Sequence, residues 1–207
     1  LPAFLVTPNN LATQKDFAAR QLLRWEFKKS NFEHLVSGFY SHSNMLYEDH
    51  VLQRASDNDE NIGLLRYHGS WKFLDQWKWG YGSDIKWTNV KTVNYLENPS
   101  EWAWDLFQSI QFQPSLNFNV KALFKVTTRT DLGWHFPFLL EANSYLGKNK
   151  NFKLWANVGT DVRFPTLNDR FWFPGGQSNL SPESNIKSSL GNSFRLNLNQ
   201  YWSWNQK

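Results

Sequence analysis

The residues best suited to binding chemistry form one short segment, Arg170-Phe171-Trp172-Phe173. Aromatic rings stack on planar groups, and a guanidinium group attracts anions and ring faces. Together these side chains suit a planar or anionic small molecule held in a concave site. We therefore predict that all four residues contact a solute. The alternative is that Phe171 and Phe173 anchor in a lipid interface while Trp172 packs on a neighbouring loop.

Motifs for catalysis and for cofactor binding are absent from the sequence. There is no Gly-x-Ser-x-Gly and no Gly-x-x-x-x-Gly-Lys, and the pair Gly80 and Gly82 lacks the third glycine of a dinucleotide-binding loop. The chain has no cysteine, which excludes disulfides, zinc–thiolate sites and thiol nucleophiles. We predict neither an enzyme activity nor a bound cofactor.

An acidic stretch at residues 57–60 offers oxygen ligands of the kind that calcium prefers. It lacks the glycine and the terminal glutamate of an EF-hand loop, so a solvated acidic loop is the alternative. His34 and His42 are eight residues apart and would share one face of a strand. We expect them to be metal-free histidines, and we predict no metal site. The calcium candidates are Asp57, Asp59 and Glu60.

Composition points away from nucleic acid and towards a membrane interface. The net charge is +4, but the basic residues are spread along the chain, so we predict no nucleic-acid partner. Aromatic residues make up 17% of the chain, with 12 Trp, yet the mean hydropathy is −0.59. Aromatic girdles at a bilayer need such rings, and a transmembrane barrel combines them with low mean hydropathy, because alternate residues face a polar lumen.

Apolar and polar side chains alternate along unusually long segments. From Phe152 to Phe164 the even positions are apolar apart from Thr160, while the odd positions include Lys153 and Asp161. This stretch is about twice the length of an ordinary strand. Similar alternation occurs from Phe17 to Phe27, Trp77 to Trp87, Leu116 to Val126 and Phe194 to Leu198.

These patterns predict an all-β fold of about nine or ten antiparallel strands in a transmembrane β-barrel. Strands of about 9–13 residues are long enough to cross the hydrocarbon layer. The apolar set is expected to face lipid, since a charge at the midplane on that side costs about 2–4 kcal/mol. A soluble β-sandwich with one wet face is the alternative fold.

The predicted connections alternate in length, as in bacterial outer-membrane barrels, whose periplasmic turns are short and whose extracellular loops are long. We therefore expect residues 165–186 to face the outside of the cell. The short connections are 28–31, 74–76, 113–115 and 147–150; residues 43–61, 90–101 and 165–186 are long, and 127–133 is intermediate.

The segment from Arg163 to Asp169, followed by Gly176 to Glu183, resembles the C-terminal signature of TonB-dependent outer-membrane receptors. That signature is roughly Phe-Arg-x-Pro-Thr-x-x-Asp/Glu, an aromatic stretch, then Gly-Asn-Pro-Asn-Leu-x-Pro-Glu. Gln177 and Ser178 replace the usual Asn-Pro, and the first box is permuted. The matching residues are Arg163, Phe164, Pro165, Thr166, Asp169, Asn179, Leu180, Pro182 and Glu183.

The resemblance implies a receptor barrel of about 22 strands with a plugged lumen. Residues 1–207 are then expected to be part of that barrel, without the plug domain and the final strands. The implied partners are outer-membrane lipid, the rest of the barrel, the plug, the TonB complex and a small-molecule solute. A complete small barrel that acts as an adhesin, a scaffold or an enzyme is the alternative.

The resemblance also bears on the identity of the solute. Haem receptors of this family resemble one another in placing an iron-ligating histidine between the two boxes of the signature. Between Pro165 and Asn179 this chain has no histidine, cysteine, methionine or tyrosine. We predict that this loop does not ligate haem and that the imported solute is a ferric siderophore, cobalamin or a similar bulky nutrient.

Overall fold

Antiparallel pairing joins ten strands into one sheet that follows the order of the sequence. The structure is a computed structural model and describes residues 12–49, 54–147, 151–198 and 200–206. The strands are β1 (Ala12–Lys29), β2 (Phe32–Asp49), β3 (Arg54–Leu74), β4 (Trp77–Thr92), β5 (Ser100–Ser115), β6 (Phe118–Arg129), β7 (Trp134–His135), β8 (Phe138–Leu146), β9 (Phe152–Arg163), β10 (Glu183–Leu198) and β11 (Gln200–Gln206). The two-residue β7 pairs with β6 and lies off the main path, which begins at β1 and ends at β11.

The strand register keeps the apolar side chains of neighbouring strands on one face. Val158 lies opposite Leu140, which lies opposite Ala122, and Ala122 lies opposite Ile110. Partners across an antiparallel ladder point to the same side of the sheet, so these residues share one face, called here the outer face. The opposite, inner face carries the charged residues, among them Arg66, Asp84, Asp105, Lys125, Asp161 and Lys187. The predicted all-β antiparallel fold is confirmed.

Ion pairs cross the inner face between adjacent strands. Asp105 on β5 contacts both Lys125 and Arg129 on β6, each at 3.1 Å. Asp84 on β4 contacts Arg66 on β3 at 3.1 Å. Opposite charges on neighbouring strands attract one another, which favours a strongly polar face.

Several strands are longer than predicted. β1 and β2 each have 18 residues and β3 has 21. The expected loop at residues 43–61 is wrong, because β2 and β3 continue pairing as far as Asp49 and Arg54. Cross-strand hydrogen bonds such as Asn44 Nδ2 to Asp57 Oδ1, at 2.8 Å, stabilise this polar extension of the ladder.

The turn after β5 also differs from the prediction. It lies at residues 116–117, whereas the sequence suggested 113–115. Pro114 has no backbone N–H to donate, and it lies where the register between β5 and β6 shifts. The irregular pairing at this point therefore tolerates the proline. Leu116 consequently lies in the turn and is exposed.

Short turns and longer connections still fall at opposite ends of the sheet. β1–β2, β3–β4 and β5–β6 are joined by two-residue turns, at 30–31, 75–76 and 116–117. The connections at 93–99, 130–137 and 164–182 lie at the other end, called here the long-loop end. One helix, α1 (Leu167–Phe171), belongs to the last of them. Among the described residues, no helix has the length and apolar character required to cross a membrane.

Phe164 departs from the face expected for it. The alternation placed it with the apolar, outward set, but β9 ends one residue earlier. Its ring lies 4.7 Å from the Arg129 guanidinium and 5.2 Å from the His135 ring. Both partners belong to the inner face, since His135 pairs with Thr127 opposite Asp105. The chain therefore turns inward immediately after β9.

Candidate functional site

The connection between β9 and β10 folds back over the inner face and packs on the connection between β4 and β5. Phe173 N donates to Asn94 O at 2.8 Å, and Leu96 N donates to Phe171 O at 3.3 Å. Tyr95 forms a β-bridge with Trp172. Residues 164–182, called here the folded loop, are thus held by contacts with a segment more than 70 residues away in the sequence.

A capping box begins the helix of the folded loop. Thr166 is the N-cap: its hydroxyl accepts from Asp169 N at 3.1 Å, and Asp169 Oδ2 accepts from Thr166 N at 2.8 Å. These reciprocal bonds satisfy two N–H groups that have no partner in the helix. The backbone bond from Thr166 holds the pKa of Asp169 below its usual value. The Thr-x-x-Asp part of the signature is therefore a local folding element.

A close turn follows the helix and depends on Gly176. Its N–H donates to Trp172 O at 2.5 Å. A Cβ at this position would lie 2.5 Å from Trp172 N and 2.7 Å from Trp172 O, closer than side chains approach backbone. Gln177 N then donates to Asp169 O at 2.9 Å. The glycine of the second box thus permits the loop to close on its own helix.

The first and last residues of the signature meet across two strands. Arg163 on β9 and Glu183 on β10 are register partners, and their side chains form an exposed ion pair at 3.7 Å. Leu180 and Pro182 are half-buried, and Asn179 is exposed. The two boxes therefore form the beginning and the end of one loop between β9 and β10.

The structure divides the four predicted solute contacts into two pairs. Arg170 and Phe171 are buried, with relative exposures of 6% and 8%, whereas Trp172 and Phe173 are exposed at 43% and 61%. Arg170 pairs with Glu101 on β5 at 3.3 Å and stacks on Phe171 at 4.8 Å. In this conformation, only Trp172 and Phe173 present surface to a solute.

The alternative, in which the aromatic residues anchor in lipid, does not describe Phe171. Its ring packs on Tyr95, with the ring centroids 6.4 Å apart. Trp172 does pack on a neighbouring loop, since its ring also meets Tyr95, edge-on at 6.4 Å.

Two cavities lie on either side of the folded loop. One, of about 490 Å³, is lined by Arg163, Asp169 and Glu183, and the other, of about 420 Å³, is lined by Arg20, Asn58, Glu60 and Thr92. Asn168 and Trp172 line both cavities.

Asn168 and Trp172 therefore separate the two cavities. Tyr95 holds Asn168 in position, because its hydroxyl donates to Asn168 Oδ1. Burial, with a smaller contribution from the Glu60 carboxylate, raises the pKa of the Tyr95 hydroxyl. The hydroxyl therefore remains a donor at neutral pH. Sequence reasoning missed Tyr95, Asn168 and Glu101, because only the fold brings them to the aromatic segment.

The calcium candidates lie on two faces of β3. Asp57 and Asp59 are on the outer face with their register partners Leu46 and Asn44, whereas Glu60 is on the inner face. His34 and His42 share the outer face as predicted, and His42 Nδ1 lies 3.7 Å from Asp59 Oδ2. Within the described ranges, no three His, Asp or Glu side chains are grouped in a way that could hold a metal ion.

Comparison with known proteins shows similarity in fold. No protein family model matches the chain, and no curated protein matches its sequence. Among solved structures, the chain is similar to the siderophore receptor PirA from Pseudomonas aeruginosa, with a TM-score of 0.58 at 12% identity. The match covers 89% of this chain and 43% of the receptor, so the chain spans less than half of that protein's length.

Proposed function

We propose that this chain forms part of a TonB-dependent outer-membrane receptor that imports a scarce nutrient such as a ferric siderophore or cobalamin. The observation that carries the proposal is the pair of aromatic rows on the outer face. Trp77 and Trp87 on β4 are ten residues apart, or about 34 Å along the strand at ~3.4 Å per residue. A tilt of about 40° reduces this to about 26 Å of height, which matches the apolar band of outer-membrane barrels.

Both rows continue across neighbouring strands. The row near the short turns contains Phe27, Phe32, Trp71, Trp77, Phe112 and Phe118. The row near the long-loop end contains Tyr40, Trp87, Trp102, Trp104 and Trp134. Rings of this kind are favoured at headgroup depth, where one edge is apolar and the other forms hydrogen bonds. We infer that the outer face contacts outer-membrane lipid.

The remaining partners follow from the extent of the fold. The sheet path begins at β1 and ends at β11, and the chain matches 43% of the PirA receptor. We propose that the rest of a larger barrel pairs with these two edge strands and that its lumen holds a plug domain that communicates with the TonB complex. A closed barrel of these ten strands requires β1 to pair with β11, a pairing that is not found among the described residues.

Solute recognition is assigned to the exposed side of the folded loop. Trp172 and Phe173 supply ring surface beside the cavity of about 490 Å³, while Arg170 and Phe171 keep those rings in place from within. The loop contains no residue of the kind that ligates haem iron, which supports a siderophore or cobalamin over haem.

Arginine substitutions on the two faces of β9 test the membrane assignment. Ala156 is exposed on the outer face and Asn157 lies beside it on the inner face, where its Oδ1 accepts from Ser189 Oγ at 2.8 Å. In the full-length receptor, Ala156→Arg is expected to cost about 2–4 kcal/mol and to impair assembly into the membrane. Asn157→Arg serves as the control and is expected to assemble. Equal assembly of the two variants contradicts the proposal.

A further inference from the structure

Positive charge is scarce on the surface that the folded loop presents to a solute. Arg170, the cation of the aromatic segment, is 6% exposed and pairs with Glu101, so its charge is already compensated. Arg163 is the one cation among the described residues that line the cavity of about 490 Å³. It pairs with Glu183 on the adjacent strand at 3.7 Å. An anionic solute would therefore meet no unpaired cation among the residues that line this cavity.

Carboxylates outnumber cations in the lining of the same cavity. Asp169 and Glu183 both line it, against the single Arg163, which leaves an excess of one negative charge (two carboxylates and one guanidinium). The Asp169 carboxylate accepts from Thr166 N at 2.8 Å and has no ion-pair partner within the described part of the chain. That backbone bond lowers the pKa of Asp169, so the group is ionised at neutral pH. Asp169 therefore carries the excess charge.

The cavity of about 420 Å³ on the other side of the folded loop has the same balance of charge. The described residues that line it include one cation, Arg20, and two carboxylates, Asp16 and Glu60. Both cavities thus have an excess of negative charge, although the whole chain has a net charge of +4. A local charge opposite in sign to that of the whole chain favours a solute of positive charge at this place.

The Trp172 ring forms a wall of both cavities, and no cation of the described residues covers it. The residue is 43% exposed, and Tyr95 meets its ring edge-on. The cation–π pairs within the described ranges involve other rings, those of Phe164, Tyr145 and Phe171. Indole is the side-chain ring that attracts a cation most strongly. A ligand cation over Trp172 would also be attracted by the negative excess of the two cavities.

We propose that the solute is a cationic ferric complex, a trihydroxamate with a free ammonium group, and that this ammonium lies over Trp172 beside Asp169. Three hydroxamate groups neutralise ferric iron, so a free ammonium group makes such a complex positive. Three catecholates carry more negative charge than the iron neutralises, and the resulting anion would be repelled by the lining of the cavities. This inference rests on the proposed function and deepens it by naming the charge and the chelating group of the solute.

One chelate in three charge states provides the test. The free-amine ferric trihydroxamate is a cation, its N-acetyl derivative is neutral and its N-succinyl derivative is an anion. Their affinities for the full-length protein in detergent are measured by titration calorimetry. The cation is expected to bind about tenfold more tightly than the anion, with the neutral complex between them, because one unit charge near a solvent-exposed carboxylate changes affinity by about threefold to fivefold.

Two Glu→Gln variants distinguish the cavity from the rest of the surface. Glu183→Gln removes the negative excess of the lining and leaves the capping box intact. The preference for the cation over the anion is therefore expected to fall about threefold in this variant. Glu97→Gln removes an exposed carboxylate from the connection between β4 and β5 that lines neither cavity, and it is expected to keep the wild-type preference.

The outcomes separate this inference from the proposed function. Equal affinity for the three complexes, a preference for the anion, or no binding of any of them by a protein that is present in the outer membrane overturns the inference. A preference that is unchanged in Glu183→Gln, or reduced equally in Glu97→Gln, overturns it as well. Absence of the wild-type protein from the outer-membrane fraction would instead refute the proposed function itself.

Discussion

Arg170 in the folded loop and Glu101 on β5 form a buried ion pair between residues 69 positions apart in the sequence. Their side chains are 6% and 18% exposed, and the two groups lie 3.3 Å apart. Among the described residues, Glu101 is the only acidic side chain that pairs with the Arg170 guanidinium. The Arg170 Nε atom is buried and has no hydrogen-bond partner among them. This pair fastens the loop to the sheet at the point where the loop crosses the inner face.

Removing the charge of Glu101 is expected to release the folded loop. Glu101→Gln leaves a buried guanidinium without its counter-ion, which costs about 3 kcal/mol. Hydrogen exchange at residues 165–182 measures the free energy of loop opening. The control is Glu183→Gln, which breaks the exposed pair with Arg163 and is expected to change that free energy by less than about 1 kcal/mol. Equal effects of the two variants contradict the fastening role.

The capping box predicts a pH dependence for the same loop. The pKa of Asp169 is lowered in the folded state, so its contribution to stability is complete above the ordinary aspartate pKa of about 3.9 and is lost as the pH falls through the lowered value. Loop opening is therefore expected to become easier below about pH 4. Asp169→Asn is expected to remove this contribution to the pH dependence. An unchanged pH profile in that variant rules out Asp169 as the titrating group.

Two adjacent glycines provide a matched pair for the close turn. Gly176→Ala places a methyl group against the Trp172 backbone and is expected to destabilise the folded loop by about 1–3 kcal/mol. Gly175→Ala introduces the same methyl group where nothing lies within 4 Å, so it is expected to be nearly neutral. Hydrogen exchange or limited proteolysis of the loop distinguishes the two. A destabilised Gly175→Ala with an unaffected Gly176→Ala would be inconsistent with this geometry.

Trp172 is expected to dominate solute affinity because it is exposed, braced by Tyr95 and shared by both cavities. If the proposed function holds, Trp172→Ala is predicted to weaken binding of the proposed solute about tenfold or more, as for a central aromatic contact. Titration calorimetry provides the measurement. Phe136→Ala, which removes an exposed ring from another long connection, is the control and is expected to bind normally. Loss of affinity in the control alone would reassign the site.

Much of the fold could be predicted from alternation. The two faces of β9 and the alternation of short and longer connections both follow from a period of two and from turn spacing. The ends of β2 and β3 could not be predicted, because residues 43–61 are polar and resemble a loop. Their pairing depends on cross-strand partners such as Asn44 and Asp57, which no local pattern connects.

The candidate site was harder to predict than the strands. The aromatic segment stands out in the sequence, but its division into buried Arg170 and Phe171 and exposed Trp172 and Phe173 depends on the position of Glu101 and Tyr95. Those contacts span about 70 residues and are set by strand register, which a single sequence does not specify at long range.

Cysteine accessibility in intact cells tests the central claim, a membrane-spanning sheet with the folded loop outside, most directly. Gln177 in the folded loop and Ser30 in the β1–β2 turn are both exposed and lie at opposite ends of the sheet, and the chain has no cysteine of its own. In the full-length receptor, a membrane-impermeant maleimide is expected to label Gln177→Cys in intact cells. Ser30→Cys is expected to be labelled only after the outer membrane is permeabilised. Labelling of both in intact cells, or of Ser30→Cys alone, would contradict the account.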